Sequence, residues 1–164
     1  MMKKILLLTL MAVTAVMGLR AEEGDFSVAP QVTFGTKSTQ IGVGLQIQFE
    51  PTDRWRVAPD LLYYIKNKGR SAYDFNINVH YLFPLSERFS AYPLAGISYV
   101  NVRQDGIDED GKKTTYKNDY LGANLGGGVQ YKLQDYLYIF AEERFQVLKR
   151  NSQSVTALGV RLTF

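Results

Sequence analysis

From Phe26 to Phe164 the chain alternates apolar and polar positions with a period of two. Phe26, Val28, Val32 and Phe34 interleave with Ser27, Ala29, Gln31 and Thr33, and Ile41, Val43, Leu45, Ile47 and Phe49 with Gln40, Gly42, Gly44, Gln46 and Gln48. Successive strand side chains point to opposite faces, so this alternation predicts strands with one apolar and one polar face. Segments 55–65, 73–83, 89–99, 121–131, 137–145 and 158–164 repeat it, and nothing after residue 24 carries a helical period. Eight strands in succession predict an all-β fold, either a sandwich or an antiparallel up-and-down barrel.

The connectors favour the barrel. Segments 51–54, 85–88 and 134–135 are tight, whereas 67–71 and 104–117 are longer; 36–38 and 150–152 join the remaining strands. Short turns at one end and generally longer loops at the other are the asymmetry of a transmembrane β-barrel. The faces point the same way. A soluble barrel packs its apolar set inside and carries charge outside. Here the apolar set is large and aromatic, and the opposite set is Gln, Asn, Gly and Ser with occasional charges. Eight Phe- and Tyr-bearing faces would overfill an eight-stranded interior. Turned outward into lipid the same pattern fits, and closing the sheet satisfies every backbone group.

Aromatic spacing supports a lipid band. Phe26 and Phe34, Trp55 and Tyr63, Tyr73 and Tyr81, and Phe89 and Tyr99 lie eight to ten residues apart along their strands. At ~3.4 Å per residue and a tilt of about 40° that spacing gives roughly 21 to 26 Å of height, close to the apolar band of about 25 Å on outer-membrane barrels. Phe49, Trp55, Phe83, Phe89, Tyr131 and Phe164 lie beside the tight turns or the C-terminus and predict a periplasmic aromatic girdle.

The N-terminal segment has a different pattern. Lys3 and Lys4 precede an apolar run over residues 5–19, and Arg20, Ala21, Glu22 and Glu23 follow. The run is shorter than the ~20 residues of a spanning helix and has the layout of a secretory signal peptide. We expect residues 1–21 to be the signal peptide and 22–164 the barrel; an uncleaved anchor is the alternative. Three of the 19 basic residues fall within 1–21, which holds no acid, so the other 16 balance the 16 acids. That balance removes the case for a basic nucleic-acid surface. The absence of cysteine excludes a disulfide scaffold, thiolate metal sites and thiol catalysis.

Three segments carry a family resemblance: 92–99 (YPLAGISY), 119–131, and the terminal 157–164 (ALGVRLTF). With them the chain resembles the small eight-stranded outer-membrane barrels of the OmpA/OmpX type, over the whole of residues 22–164. The resemblance implies a Gram-negative outer membrane with both termini in the periplasm. It also implies that the terminal strand ending at Phe164 is read by the barrel-assembly machinery. Two features strain the pattern. Pro30, Pro59 and Pro93 fall inside strands, where each removes a ladder hydrogen bond, so bulges or strand ends are expected there. Glu143 would face lipid by strict phase, and a bulge over 141–143 would turn it away.

Candidate chemistry is sparse. His80 is the single histidine and lies near a tight turn with no Ser or acid constellation beside it in sequence, so an interior structural role is expected. Asp60, Asp74, Glu142, Arg144 and Arg161 fall on the polar face and predict a charge network filling the lumen, since interior charges must be paired; an ion path or gate is the alternative. The stretch around Asp105, Asp108, Asp110, Lys112 and Lys113 is the candidate contact surface. Asp108, Asp110 and Gly111 have calcium-loop character but lack the twelfth-position ligand, which favours a hairpin turning near Asp110 and Gly111. The glycines at 122 and 126–128 precede no helix and are no phosphate loop. The sequence thus predicts a monomeric, non-enzymatic outer-membrane barrel without cofactor or metal, embedded in lipid, acting in membrane integrity or through a host or surface partner at its loops. A lipid A-modifying barrel enzyme and a soluble periplasmic ligand-binding barrel are the alternatives.

Overall fold

The computed structural model describes residues 25–36, 40–150 and 152–164. Residues 1–24, where the leader is expected, lie outside the described residues. The strands are β1 (Asp25–Gly35), β2 (Gln40–Thr52), β3 (Trp55–Asn67), β4 (Arg70–Tyr81), the two-residue β5 (Phe83–Pro84), β6 (Phe89–Ile107), β7 (Lys113–Gln134), β8 (Leu137–Leu148) and β9 (Gln153–Thr163). Every neighbouring pair is antiparallel, β1 pairs with β9 and β4 with β6, so the sheet closes on itself. β5 continues β4 past Leu82 along the same partner, β6, leaving eight staves in up-and-down order.

The period-two pattern sets which way each side chain points. Ser27, Gln46, Asp60, Asn76, Asn124 and Gln146 are buried inside, while Val32, Ile41, Leu61, Phe75, Ile97, Leu125 and Leu158 stand exposed on the outer wall. This is the reverse of a soluble protein, whose surface rarely carries a large contiguous apolar area. Two rims follow. The turns 52–55, 84–89 and 134–137 and both ends of the described chain form the short-turn rim; 67–70, 107–113, Leu148 and Gln153 lie at the opposite, hairpin rim.

Three expectations need correction. The 67–71 connector, expected to be longer, is a tight turn with Asn67 opposite Arg70 and with Lys68 and Gly69 at positive φ. The prolines make no bulges. Pro30 pairs with Leu45, Pro59 with Ile77 and Pro93 with Gly127 in unbroken register. Each faces its missing N–H toward the other neighbour: there the ladder skips from Val28 to Gln31 on β9, from Gln46 to Phe49 against β3, and from His80 to Phe83 against β6, with no change of offset. A proline lacks one donor on one side only, and a wall anchored on the other side tolerates the gap. Nor is there a bulge at residues 141–143: β8 runs in continuous register there, and Glu143 stays on the outer wall, exposed, opposite Gly127 and Thr156. The Ser154 and Thr156 hydroxyls donate to its carboxylate instead. Register shifts occur at strand ends, between Phe49 and Thr52, Tyr64 and Asn67, and Lys132 and Gln134.

Large interior side chains need small residues opposite them on the neighbouring strand. A Cβ on Gly126 would come within 2.1 Å of the Glu143 carbonyl and 2.7 Å of the Arg144 Cα. A Cβ on Gly128 would meet the Tyr92 ring, and one on Gly159 the Phe140 ring.

Candidate functional site

The interior is built in layers. Nearest the hairpin rim, Leu62, Tyr64, Ala72, Val100, Val102, Leu148 and Val155 form an apolar plug. The cavity beside it, between Gly35, Gln40, Tyr64 and Gln153, has a volume of about 10 Å³, room for no more than a single water.

The middle layer centres on Arg144 of β8. Its Nη1 lies 2.7 Å from Asp60 Oδ2 and 3.4 Å from Glu142 Oε1, and its Nη2 donates to Asp60 Oδ1 at 3.3 Å. Asn76 Nδ2 donates to Asp60 Oδ1 at 2.8 Å and Asn78 Nδ2 to Asp60 Oδ2 at 3.3 Å, and Asn124 donates to both asparagine oxygens. Asp74 accepts from Gln146 Nε2 at 2.7 Å. Guanidinium and carboxylate meet in a two-point fork, which suits ions taken wholly out of water. Arg144 thus brings together Asp60 and Glu142, with Asp74 linked to Asp60 through the Gln146 and Asn76 amides.

Arg161 belongs to a separate layer at the short-turn rim. Its Nη1 donates to Glu50 Oε1 at 2.7 Å, and Arg56 Nη2 lies 2.6 Å from the same oxygen. Gln130 Oε1 accepts from both arginines, and the Arg161 guanidinium lies 4.1 Å over the Tyr138 ring. Glu50, Arg56, Gln130 and Tyr138 are not among the residues selected from sequence. The signal for them was strand phase: Glu50 continues Gln46 and Gln48, and Arg56 precedes Ala58 and Asp60 on the same face. His80 lies beside the middle layer. It is fully buried, stacks on Tyr92 with ring centres 4.6 Å apart, and places Nε2 3.9 Å from Glu142 Oε2.

The outer wall at the short-turn rim carries the aromatic residues. Phe49, Trp55, Phe83, Tyr131 and Phe164 are exposed and Phe89 is half-buried. Trp55 meets Tyr81 edge-on at 4.9 Å, and Tyr81 meets Phe83 at 4.8 Å. The Phe164 amide donates to Phe26 O at 2.9 Å, tying the last residue to β1.

At the other rim β6 and β7 outgrow the barrel. Their ladder runs from Phe89 and Tyr131 to Ile107 and Lys113, whereas β7 meets β8 only from Gly122 onward. The tip is a type I turn closed by Gly111 at φ 74°. Gly111 N donates to Asp108 O, and Asp108 N to Lys112 O, the three-residue hairpin loop with a left-handed glycine. Asp108 Oδ1 accepts from Glu109 N at 2.8 Å, so this carboxylate serves the turn. Among the described residues no three metal-ligating side chains gather. Asp105 is paired with Lys66, whose ammonium holds the Asp105 carboxyl below the usual carboxylate range. Asp110, Lys112 and Lys113 are exposed at the tip.

Residues 6–163 match the family described as the outer membrane protein beta-barrel domain. Solved structures share the architecture at low identity. The N-terminal β-barrel domain of Pseudomonas aeruginosa OprF is 17% identical, over 87% of this chain and 98% of that one, with a TM-score of 0.71. Ail, the attachment invasion locus protein of Yersinia pestis, is 14% identical over 86% of this chain and 97% of its own, with a TM-score of 0.63. Neisserial surface protein A is 17% identical over 86% and 97%, with a TM-score of 0.62. A further structure of Ail, 15% identical over 87% of this chain and 99% of that one at a TM-score of 0.62, is a complex with the heparin analogue sucrose octasulfate. No curated protein matches the sequence.

Proposed function

This chain belongs to the outer membrane protein β-barrel domain family, and on that premise we propose that it is a non-enzymatic barrel whose activity resides in its lipid-facing wall and its surface hairpin. The observation that carries this reading is the inverted wall: apolar side chains outside, and an ion-paired, hydrogen-bonded interior closed at the hairpin end by an apolar plug. In this reading residues 1–21 are a cleaved leader. The short-turn rim, its aromatic girdle and both termini face the periplasm, and β9 ending at Phe164 is the segment presented to the assembly machinery. The hairpin of β6 and β7 then stands outside the cell, where it acts in membrane integrity or in contact with a surface partner. The heparin-analogue complex of the Yersinia pestis protein supports a partner of that kind.

Two other readings fare worse. A catalytic base must reach its substrate, and His80 is sealed inside the wall between Tyr92 and Glu142. A soluble ligand-binding barrel needs an apolar interior, and this one is filled with ions and amides. The test is gel mobility of the fractionated envelope with and without boiling. A heat-dependent shift in the outer-membrane fraction is the expected result; a soluble protein that runs identically either way would overturn the reading.

A further inference from the structure

Arg103 on β6 and Lys117 on β7 stand directly opposite each other in register. On β6 the buried Leu94, Ser98, Val100 and Val102 point inward, and on β7 so do Asn124 and Gln130. Arg103 and Lys117 therefore occupy the outward phase. Like charges placed opposite on neighbouring strands destabilise a sheet, and the one acid whose charge acts on this pair is Asp119, two positions from Lys117. Asp119 is shared: its Oδ1 accepts from Tyr99 Oη at 2.9 Å and from Asn101 Nδ2 at 2.6 Å, so it offsets Lys117 only in part, and Asp105, two positions from Arg103, is paired with Lys66. Among the described residues neither Arg103 nor Lys117 enters an ion pair. Arg103 is nevertheless held in place. Its Nε donates to Asn101 Oδ1 at 3.4 Å, and its guanidinium lies 5.2 Å over the Tyr73 ring. Its terminal nitrogens have no acceptor among the described residues.

The level on the wall indicates what could sit there. Below the two cations, past the Asn101 and Asp119 pair, lie exposed Tyr73 and Tyr99, and Tyr63 stands beside Tyr73 with ring centres 4.9 Å apart. Tyrosine rings collect where hydrocarbon gives way to headgroups. Two cations about 5 Å apart at Cβ, just above such a ledge, match one tetrahedral phosphate shared between an arginine fork and an ammonium.

We propose that Arg103 and Lys117 form a binding site for a phosphate group on the headgroup of a membrane lipid in the leaflet at the hairpin rim. This rests on the barrel spanning the outer membrane with its hairpin outside. The phosphate neutralises the opposed cations, Tyr73 and Tyr99 support the lipid's upper chain segments, and the base of the overhanging hairpin becomes anchored to the membrane surface.

The test uses the mature full chain folded into nanodiscs doped with lipid A, either bearing its phosphates or dephosphorylated, with retained lipid counted by native mass spectrometry. The wild-type chain is expected to keep the phosphorylated form. The double variant Arg103→Gln, Lys117→Gln is expected to keep about tenfold less, while Lys112→Gln, Lys113→Gln, removing the same charge at the tip, changes retention less than about twofold. Arg103→Lys, which preserves the charge, is expected to retain most of the binding. Equal retention by wild type and the first double variant, equal loss in the tip variant, or indifference to the phosphates would each overturn the site. Sucrose octasulfate, added in detergent without lipid, separates a soluble anion from a lipid: binding that depends equally on Arg103 and Lys117 would overturn the lipid assignment. Each sample is first checked for its heat shift. A wild-type chain without one refutes the barrel itself, whereas a shifted chain with no dependence on these residues refutes only the site; if the double variant fails to fold, Lys117→Gln alone carries the comparison.

Discussion

Arg144 is the residue on which the middle of the barrel turns. It neutralises Asp60 and Glu142 at once, inside a wall that water does not reach. Replacing it with methionine fills the space but leaves two carboxylates facing each other. We expect Arg144→Met to lower stability by about 3–5 kcal/mol in urea unfolding from lipid vesicles. Glu143, one position on, presents the opposite case. Its carboxylate lies on the outer wall between Ala141 and Phe145 and is held by two hydroxyls from β9. A charged group on the lipid face is costly, so Glu143→Leu is expected to stabilise the barrel by about 1–2 kcal/mol in the same assay, and an unchanged or lower stability would show that the two hydroxyls fully offset the charge. At this scale strand phase made Asp60, Asp74, Glu142, Arg144 and Arg161 legible as interior residues. It could not say that Arg144 serves Asp60 while Arg161 serves Glu50, because those partners lie 84 and 111 positions away in sequence and meet only through the stagger of the closed sheet.

At the scale of the element, small residues set what a strand can pass. Gly126 faces inward where β7 crosses Arg144, and an added methyl would meet backbone that cannot move aside. Gly126→Ala is therefore expected to cost about 1–3 kcal/mol and to shrink the heat-resistant fraction on gels. The β6–β7 hairpin behaves differently, since beyond Gln104 and Gly122 it leans on little but itself. Its side tether is the pair between Lys66 and Asp105. The folded pKa of Asp105 is depressed, so the tether contributes fully above the unfolded carboxylate value of about 3.9 and is lost as pH falls through the folded value. Amide exchange of residues 105–113 is expected to quicken across that acid window in the wild type and to show no such step in Lys66→Ala. The alternation that revealed eight strands did not delimit this overhang, because a strand clear of the membrane has no lipid on either face to impose a period; the turn residues Asp110 and Gly111 announced the hairpin instead. It also misjudged the prolines: their cost depends on which neighbour the absent N–H would have faced, a matter of pairing rather than of sequence.

For the whole molecule, closure is the decisive step. It removes every free sheet edge along the wall and buries the Arg144 layer, while Glu50 of the lower layer stays partly exposed at the rim. Among the described residues, Leu62, Tyr64, Val100 and Leu148 pack into a plug over the Arg144 layer. Planar-bilayer recordings are accordingly expected to show no steady open-pore conductance at neutral pH, and a sustained ohmic channel would show that the plug opens. What the sequence determined by itself was the strand period, the number of staves, the inverted faces and the aromatic levels, because each of these is a local preference repeated along one strand and answered by the surrounding solvent. What only the tertiary structure decided was the register: which acid meets which base, that Glu50 and Arg56 complete the lower layer, that Glu143 stays in the lipid band, and that Arg103 and Lys117 face each other above the tyrosines. Register is a property of the closed ring, fixed by how all the strands stagger together, and no single strand carries it.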